Sequence, residues 1–179
     1  AQYMAAVLTF ESGAKKVEDW VPYLQDAANC RWPDHVADDA SAAHIGIEVK
    51  PPDLNLSETD FSVVFDPGET HDNVHGHIRF GLGAIKGVGR GAVDKIITER
   101  DADGPFTSML DFCERIGPRV VTKAQIESMI KAGALDSIHG ENARSAMLAG
   151  VESVVSAGAK AAEDRAAGQL SIFGIPEPS

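Results

Sequence analysis

The hexapeptide Lys-Gly-Val-Gly-Arg-Gly at residues 86–91 permits few folds around it. Leu82 and Ile85 before it, and Val88, Ala92, Val93, Ile96 and Ile97 after it, fall at helical spacing. Two glycines around one apolar residue let two helical pieces reverse within a few positions. Gly87 and Gly89 are expected to take backbone angles that a side chain forbids, while Val88 pins the turn to a core. Such a reversal leaves the first amides of the second helix facing outward. There, with the positive end of the helix dipole, they can hold a phosphate, and Lys86 and Arg90 flank the spot.

Charge sharpens this expectation. The 179 residues carry a formal net charge of -11, which argues against a general nucleic-acid binder, because attraction to phosphate needs a basic face. Between Arg79 and Arg100, however, Arg79, Lys86, Arg90, Lys95 and Arg100 outnumber Asp94 and Glu99. A local basic island in an acidic chain suits a small anion-binding surface, or else a solvated helix face of mixed charge. Hydrophobe, two residues, Gly-hydrophobe-Gly, then a second apolar stripe resembles the helix-hairpin-helix motif, which grips the sugar-phosphate backbone without reading sequence. The bland alternative is a tight turn between packed helices. No Gly-Lys-Ser/Thr follows, so it is not a phosphate loop of the Walker kind, and no long strand precedes it as in a dinucleotide site.

The rest of the chain reads as mainly α, with a small β-hairpin, tandem helix-hairpin-helix motifs and a longer C-terminal helix. Residues 4–20 are helical, with a break expected at Thr9–Gly13, and the amphipathic start without initiator Met or N-cap suggests a piece of a longer chain. Residues 21–43, with two prolines and four aspartates, read as a surface excursion holding a helical piece. Ile45, Ile47 and Val49 alternate, then Phe61, Val63 and Phe65, and Ile78-Arg79-Phe80 can return as an antiparallel partner. Thr107 or Ser108 should cap a helix burying Met109, Leu110, Phe112 and Ile116. Thr122 and Gln125 form a capping-box pattern for another, closed by Gly133. A long helix runs from about Ala143 to Ala167. The second reversal, around Gly117 and Pro118, lacks Gly-hydrophobe-Gly, so Arg119 and Lys123, with Arg79, are secondary DNA contacts at most.

Other chemistry is sparse. Cys30 and Cys113 are distant and lack zinc-site spacing, so both read as reduced thiols. His71, His75 and His77 could form a metal site, but a loop without a supporting helix makes solvated histidines the better reading, and no metal ligand is assigned. Asp38 with Asp39, and Asp101 with Asp103, lie in polar loops, so no catalytic residue is assigned either. No apolar run approaches the ~18–20 residues of a membrane span, and the start lacks signal-peptide features; a cytoplasmic location without membrane contact follows as the expectation.

Five stretches in order, YMAAVLT near the start, GIEVKPPDLN at 46–55, IRFGLGAIKGVGRGAV at 78–93, GPFTSMLDFCERI at 104–116 and IKAGALDSI at 130–138, resemble the bacterial DNA polymerase III alpha-subunit family of replicative polymerases. The resemblance implies the end of the fingers region over residues 1–46, a helix-hairpin-helix DNA-binding domain over 47–160, and a linker over 161–179. It implies that duplex primer-template DNA is held by Lys86, Gly87, Val88, Gly89 and Arg90. The catalytic aspartates, and the Mg that a full-length polymerase uses, would belong to an upstream region, leaving this piece without cofactor and inactive alone. Residues 21–43 stand as an insertion relative to the family. Members often carry a sliding-clamp-binding pentapeptide after this domain, and Gln169, Leu170, Ser171, Ile172 and Phe173 match its form: glutamine, aliphatic, small polar, aliphatic, aromatic. The implied partners are therefore DNA, the clamp and other holoenzyme subunits, in a nucleoid-associated setting. Two other readings keep a helix-hairpin-helix fold: a stand-alone DNA repair protein, and a purely structural interaction module.

Overall fold

The computed structural model describes residues 1–30, 46–71 and 75–166. The clamp-like pentapeptide, Asp38 and Asp39 lie outside the described residues.

An N-terminal helical unit comprises α1 (Gln2–Ala14), α2 (Val17–Trp20) and α3 (Pro22–Ala28). The helix break predicted at Thr9–Gly13 falls instead at Lys15–Lys16. Within α1 the polar Ser12 returns its hydroxyl to the Thr9 carbonyl at 3.2 Å, so these residues cost the helix no unsatisfied group. Ala5 and Leu8 bury one side of α1 against Trp20, Phe61 and Ile78.

The predicted hairpin is part of a three-stranded mixed sheet. The strands β1 (Val49–Lys50), β2 (Ser62–Val64) and β3 (His77–Arg79) lie in the order β1-β3-β2. As expected, β3 pairs antiparallel with β2, with Val63 opposite Ile78; the parallel β1–β3 pair, with Val49 opposite Ile78, is additional. Ile45 lies outside the described residues, and Ile47 precedes β1.

The remaining helices are α4 (Arg90–Asp103), α5 (Met109–Ile116), α6 (Lys123–Ala132), α7 (Asp136–His139) and α8 (Arg144–Ala166). Ser108 caps α5, Thr122 and Gln125 form a complete capping box on α6, and Gly133 ends α6 in the left-handed conformation, all as predicted. Their apolar faces close a second core around Leu82, Val93, Ile96, Phe106, Phe112, Met129 and Ile130. α8 crosses α5 so closely that a Cβ on Gly158 would lie 2.7 Å from the Cβ of Cys113. Phe80 packs against both cores, which ties the N-terminal unit and sheet to the helical bundle.

The segment between β1 and β2 acts as the bracket. Asn55 receives the Phe106 amide at 2.8 Å and donates to the Phe106 carbonyl at 2.9 Å. Ser57 donates its hydroxyl to the Phe80 carbonyl at 2.8 Å and accepts the Asp53 amide at 2.9 Å. Side chains thereby satisfy buried backbone where no regular element can.

Candidate nucleic-acid interface

A 3-10 turn at Leu82–Ala84 leads into the reversal. It sits directly on the chain before β2: the Leu82 and Gly83 amides each donate at 2.9 Å, to the carbonyls of Glu58 and Thr59. A Cβ on Gly81 would come within 2.5 Å of the Asp60 carbonyl carbon, so this approach requires glycine.

The reversal itself turns at Gly87, whose φ of +87° favours glycine, and the Val88 amide closes on the Ile85 carbonyl at 3.1 Å. Val88 is buried, as expected. Gly89 differs from expectation: its φ of -78° and ψ of 144° are open to any residue. Its contribution is room, because a Cβ there would meet nothing within 4 Å. No side chain caps α4, whose first turn begins at Gly89. By contrast, Ser108 occupies the start of α5, and Thr122 with Gln125 that of α6. Of these three helices, α4 alone presents its N-terminal amides without a side chain over them.

The basic island divides into structural and available cations. Lys86 is exposed, with no ion pair or hydrogen bond among the described residues. Arg90 is exposed but donates to Asp60 at 2.9 Å, and this carboxylate raises its pKa above the ordinary guanidinium value. A phosphate would have to take Asp60's place. Arg100 is not a surface cation: it is 9% exposed, donates to the Ser57 carbonyl at 2.7 Å and lies 3.1 Å from the Asp101 carboxylate. Arg79 is half-buried in β3 and donates to the Pro51 carbonyl at 3.2 Å. Lys123 pairs with Glu152 at 2.8 Å, which raises the lysine pKa and lowers that of the carboxylate, and Arg119 stands exposed in the second turn. The predicted primary residues 86–90 thus lie together at the first reversal, while Arg119 and Lys123 belong to the second.

Two clefts flank Lys86. One, of about 1150 Å³, has an apolar floor of Trp20, Leu24, Phe80 and Ile85, with Lys86 and Lys131 at its rim. The other, of about 370 Å³, lies between the hairpin and the α1–α2 joint. Nothing in the sequence pattern marks Lys131 or the residues of that joint, which are far from the hairpin in the chain.

Asp66, Glu69 and His77 converge on the β2–β3 side of the sheet. Lys50 donates to Asp66 at 2.7 Å, and His77 lies between Glu48, at 3.3 Å, and Asp66, at 3.2 Å. Asp66 and Glu69 are already engaged within the protein by Lys50, His77 and backbone amides, and a mixed histidine and carboxylate set does not suit Mg²⁺, which takes near-octahedral oxygen. His71 stacks on Phe65 at 4.1 Å instead of joining His77. Cys113 is buried, and desolvation pushes its thiol pKa up to about 11, consistent with a reduced, unreactive thiol.

A glycine-made reversal leading into an uncapped helix, with α5 and α6 each packed on α8, defines a protein of the helix-hairpin-helix class. The family described as helix-hairpin-helix motif matches residues 46–146, and the chain belongs to it. Over nearly its whole length it is similar to DNA polymerase III subunit alpha: 42% identical over 179 residues to that of Thermus aquaticus, covering 99% of this chain and 12% of the relative. The Deinococcus radiodurans subunit is 37% identical over 180 residues, with coverage of 98% and 11%. That of Chlamydia pneumoniae is 39% identical over 132 residues, with coverage of 74% and 10%. The chain therefore spans roughly a tenth of the length of these relatives and corresponds to a segment of the alpha-subunit family, as the sequence motifs indicated. No helix among the described residues is long and apolar enough to cross a membrane.

Proposed function

We propose that this chain serves as the DNA-holding segment of a DNA-directed DNA polymerase, binding the sugar-phosphate backbone of duplex primer-template DNA without sequence specificity. The observation that carries this reading is the uncapped start of α4, open in front of Gly89 and flanked by unpaired Lys86. Backbone amides and one lysine can seat a phosphate but offer nothing that distinguishes bases. Arg90 joins once phosphate replaces Asp60. The nucleotidyl transfer, and the Mg it needs, would belong to other parts of such a polymerase, and this segment alone would be inactive.

The same reading assigns Gln169, Leu170, Ser171, Ile172 and Phe173 to docking on a sliding clamp, with a place among the other holoenzyme subunits on the nucleoid. Gln169 would hydrogen-bond at a pocket rim, and the three apolar side chains would bury surface; ordering the segment offsets much of that gain, so a micromolar affinity is expected. Tethering to the same DNA makes such weak binding effective.

The deciding experiment titrates a labelled duplex into the full-length protein at moderate salt, comparing it with the Lys86→Glu, Arg90→Glu double variant. An affinity loss of at least tenfold, equal for unrelated DNA sequences, is expected; unchanged affinity overturns the DNA reading. Calorimetry with a bacterial sliding clamp, repeated on Gln169→Ala with Phe173→Ala, tests the docking role separately.

A further inference from the structure

The smaller cleft beside the hairpin brings together cations that the chain separates by some seventy positions. Lys15, Lys16 and Glu18 form one wall, and Lys86, Gly87 and Val88 the other. Lys15 is held: its Nζ is 2.7 Å from a Glu11 oxygen and 5.7 Å from the centre of the Tyr23 ring. Lys16 and Lys86 are exposed, with no ion-pair partner among the described residues. Among the described residues, Glu18 is the one carboxylate lining the cleft.

The two walls are fixed to each other. Trp20, which follows this joint, packs its ring 5.9 Å from Phe80 and 6.0 Å from Phe61, and Phe80 immediately precedes the turn that leads to Lys86. Lys16 and Lys86, from distant parts of the chain, thus line one cleft that runs up to Val88, next to the start of α4 in the chain. In a chain of net charge -11, two lysines without an ion pair on one cleft, beside Lys15 held by Glu11 and facing one lining carboxylate among the described residues, leave a local excess of positive charge. Cations on neighbouring walls match an extended polyanion, whose successive phosphates need successive partners, better than they match an isolated small anion.

We propose that the DNA-binding surface is bipartite: Lys16, with Lys15 beside it, supplies a phosphate contact adjacent to the one made by Lys86 and the start of α4. This rests on the DNA reading above and extends it from the hairpin to the N-terminal helical unit. Lys16 lies outside every stretch that suggested DNA contact from sequence, because the cleft exists only once Trp20 has docked on Phe80.

The test is the salt dependence of duplex binding by the full-length protein, between about 50 and 200 mM salt, for Lys16→Gln, Lys86→Gln and, as a control on α8, Lys160→Gln. Removing one lysine–phosphate pairing should reduce the magnitude of the log-log salt slope by about 0.9. Lys16→Gln and Lys86→Gln should each show that reduction, with affinity lower by roughly threefold to tenfold at the low-salt end, while Lys160→Gln keeps the wild-type slope. If Lys86→Gln lowers the slope and Lys16→Gln does not, the bipartite surface is refuted and the hairpin reading stands. A wild-type slope in both overturns the DNA reading itself. Equal reductions in all three would mean that net charge alone is responsible, which also refutes the proposal. Unchanged far-UV circular dichroism in each variant confirms that folding is not the cause.

Discussion

Gly87 and Gly89 occupy the same hairpin for different physical reasons. Gly87→Ala forces a side chain to φ near +87° and should cost about 1–3 kcal/mol of stability. Gly89→Leu meets ordinary backbone angles and open space, so stability should stay within about 0.5 kcal/mol. On the proposed function, the same Leu stands where a phosphate would approach, and DNA affinity falls. Chemical denaturation alongside a DNA titration separates the two effects, and a Gly89→Leu variant with normal affinity would contradict the proposed role. Arg100 is the opposite case, a cation that serves the fold. Replacing it with Met leaves the buried Ser57 carbonyl without its donor and should destabilise by about 2 kcal/mol, with the salt slope of DNA binding unchanged. Its role was legible in principle: Val93, Ile96 and Arg100 follow the i, i+3, i+7 spacing of a buried stripe, so the arginine had to face inward. A tally of charge along the chain is blind to that register.

At the level of elements, the helices whose ends carry local signals were readable and the pairings between distant segments were not. Ser108, Thr122 with Gln125, and Gly133 act within a few residues of the helix ends they set. Thr122→Ala should accordingly cost about 1 kcal/mol, measurable as a shift in the denaturation midpoint, because it removes the hydroxyl that accepts from the Gln125 amide and donates to the Gln125 side-chain oxygen. The β1–β3 pairing joins residues 49–50 to 78–79; the alternation of Ile45, Ile47 and Val49 marks a strand there but carries no cue to its partner. The loop between β2 and β3 has its own pH response. The hydrogen bond from Lys50 lowers the Asp66 pKa, and the backbone amides of Asp66 and Gly76 lower that of Glu69. Depressed carboxylates stabilise the fold above their unfolded pKa of about 4, and that contribution disappears as pH falls through the folded values. Hydrogen exchange at the Asp66 and Gly76 amides should therefore accelerate in acid before the amides of α5 and α6 do; simultaneous acceleration would show that this network does not open separately.

Across the whole molecule, the sequence conveyed the order of parts better than their joints. The hairpin and its basic flanks were visible because they are contiguous. The clefts on either side of Lys86 were not, since Trp20, Phe80 and Lys131 meet there only through tertiary packing. Phe80 should be the most consequential of these residues. Phe80→Ala removes the ring shared by both cores and is expected to cost about 3–5 kcal/mol, and to lower the cooperativity of unfolding. Two transitions seen by calorimetry in place of one would identify it as the coupling between the N-terminal unit and the bundle.

α8 gives the molecule a direction. Its 23 residues extend about 35 Å at 1.5 Å per residue. Arg144 is anchored to Asp136 at its start, Gly158 lies against α5, and Arg165 sits 3.6 Å from Glu114 at its end. A helix held at three points fixes the bearing of its own last turn. One residue inserted after Arg165 would turn that bearing by about 100° while leaving every anchor in place. The helical phase at the end of α8 is thus set by the fold yet invisible to a stability measurement.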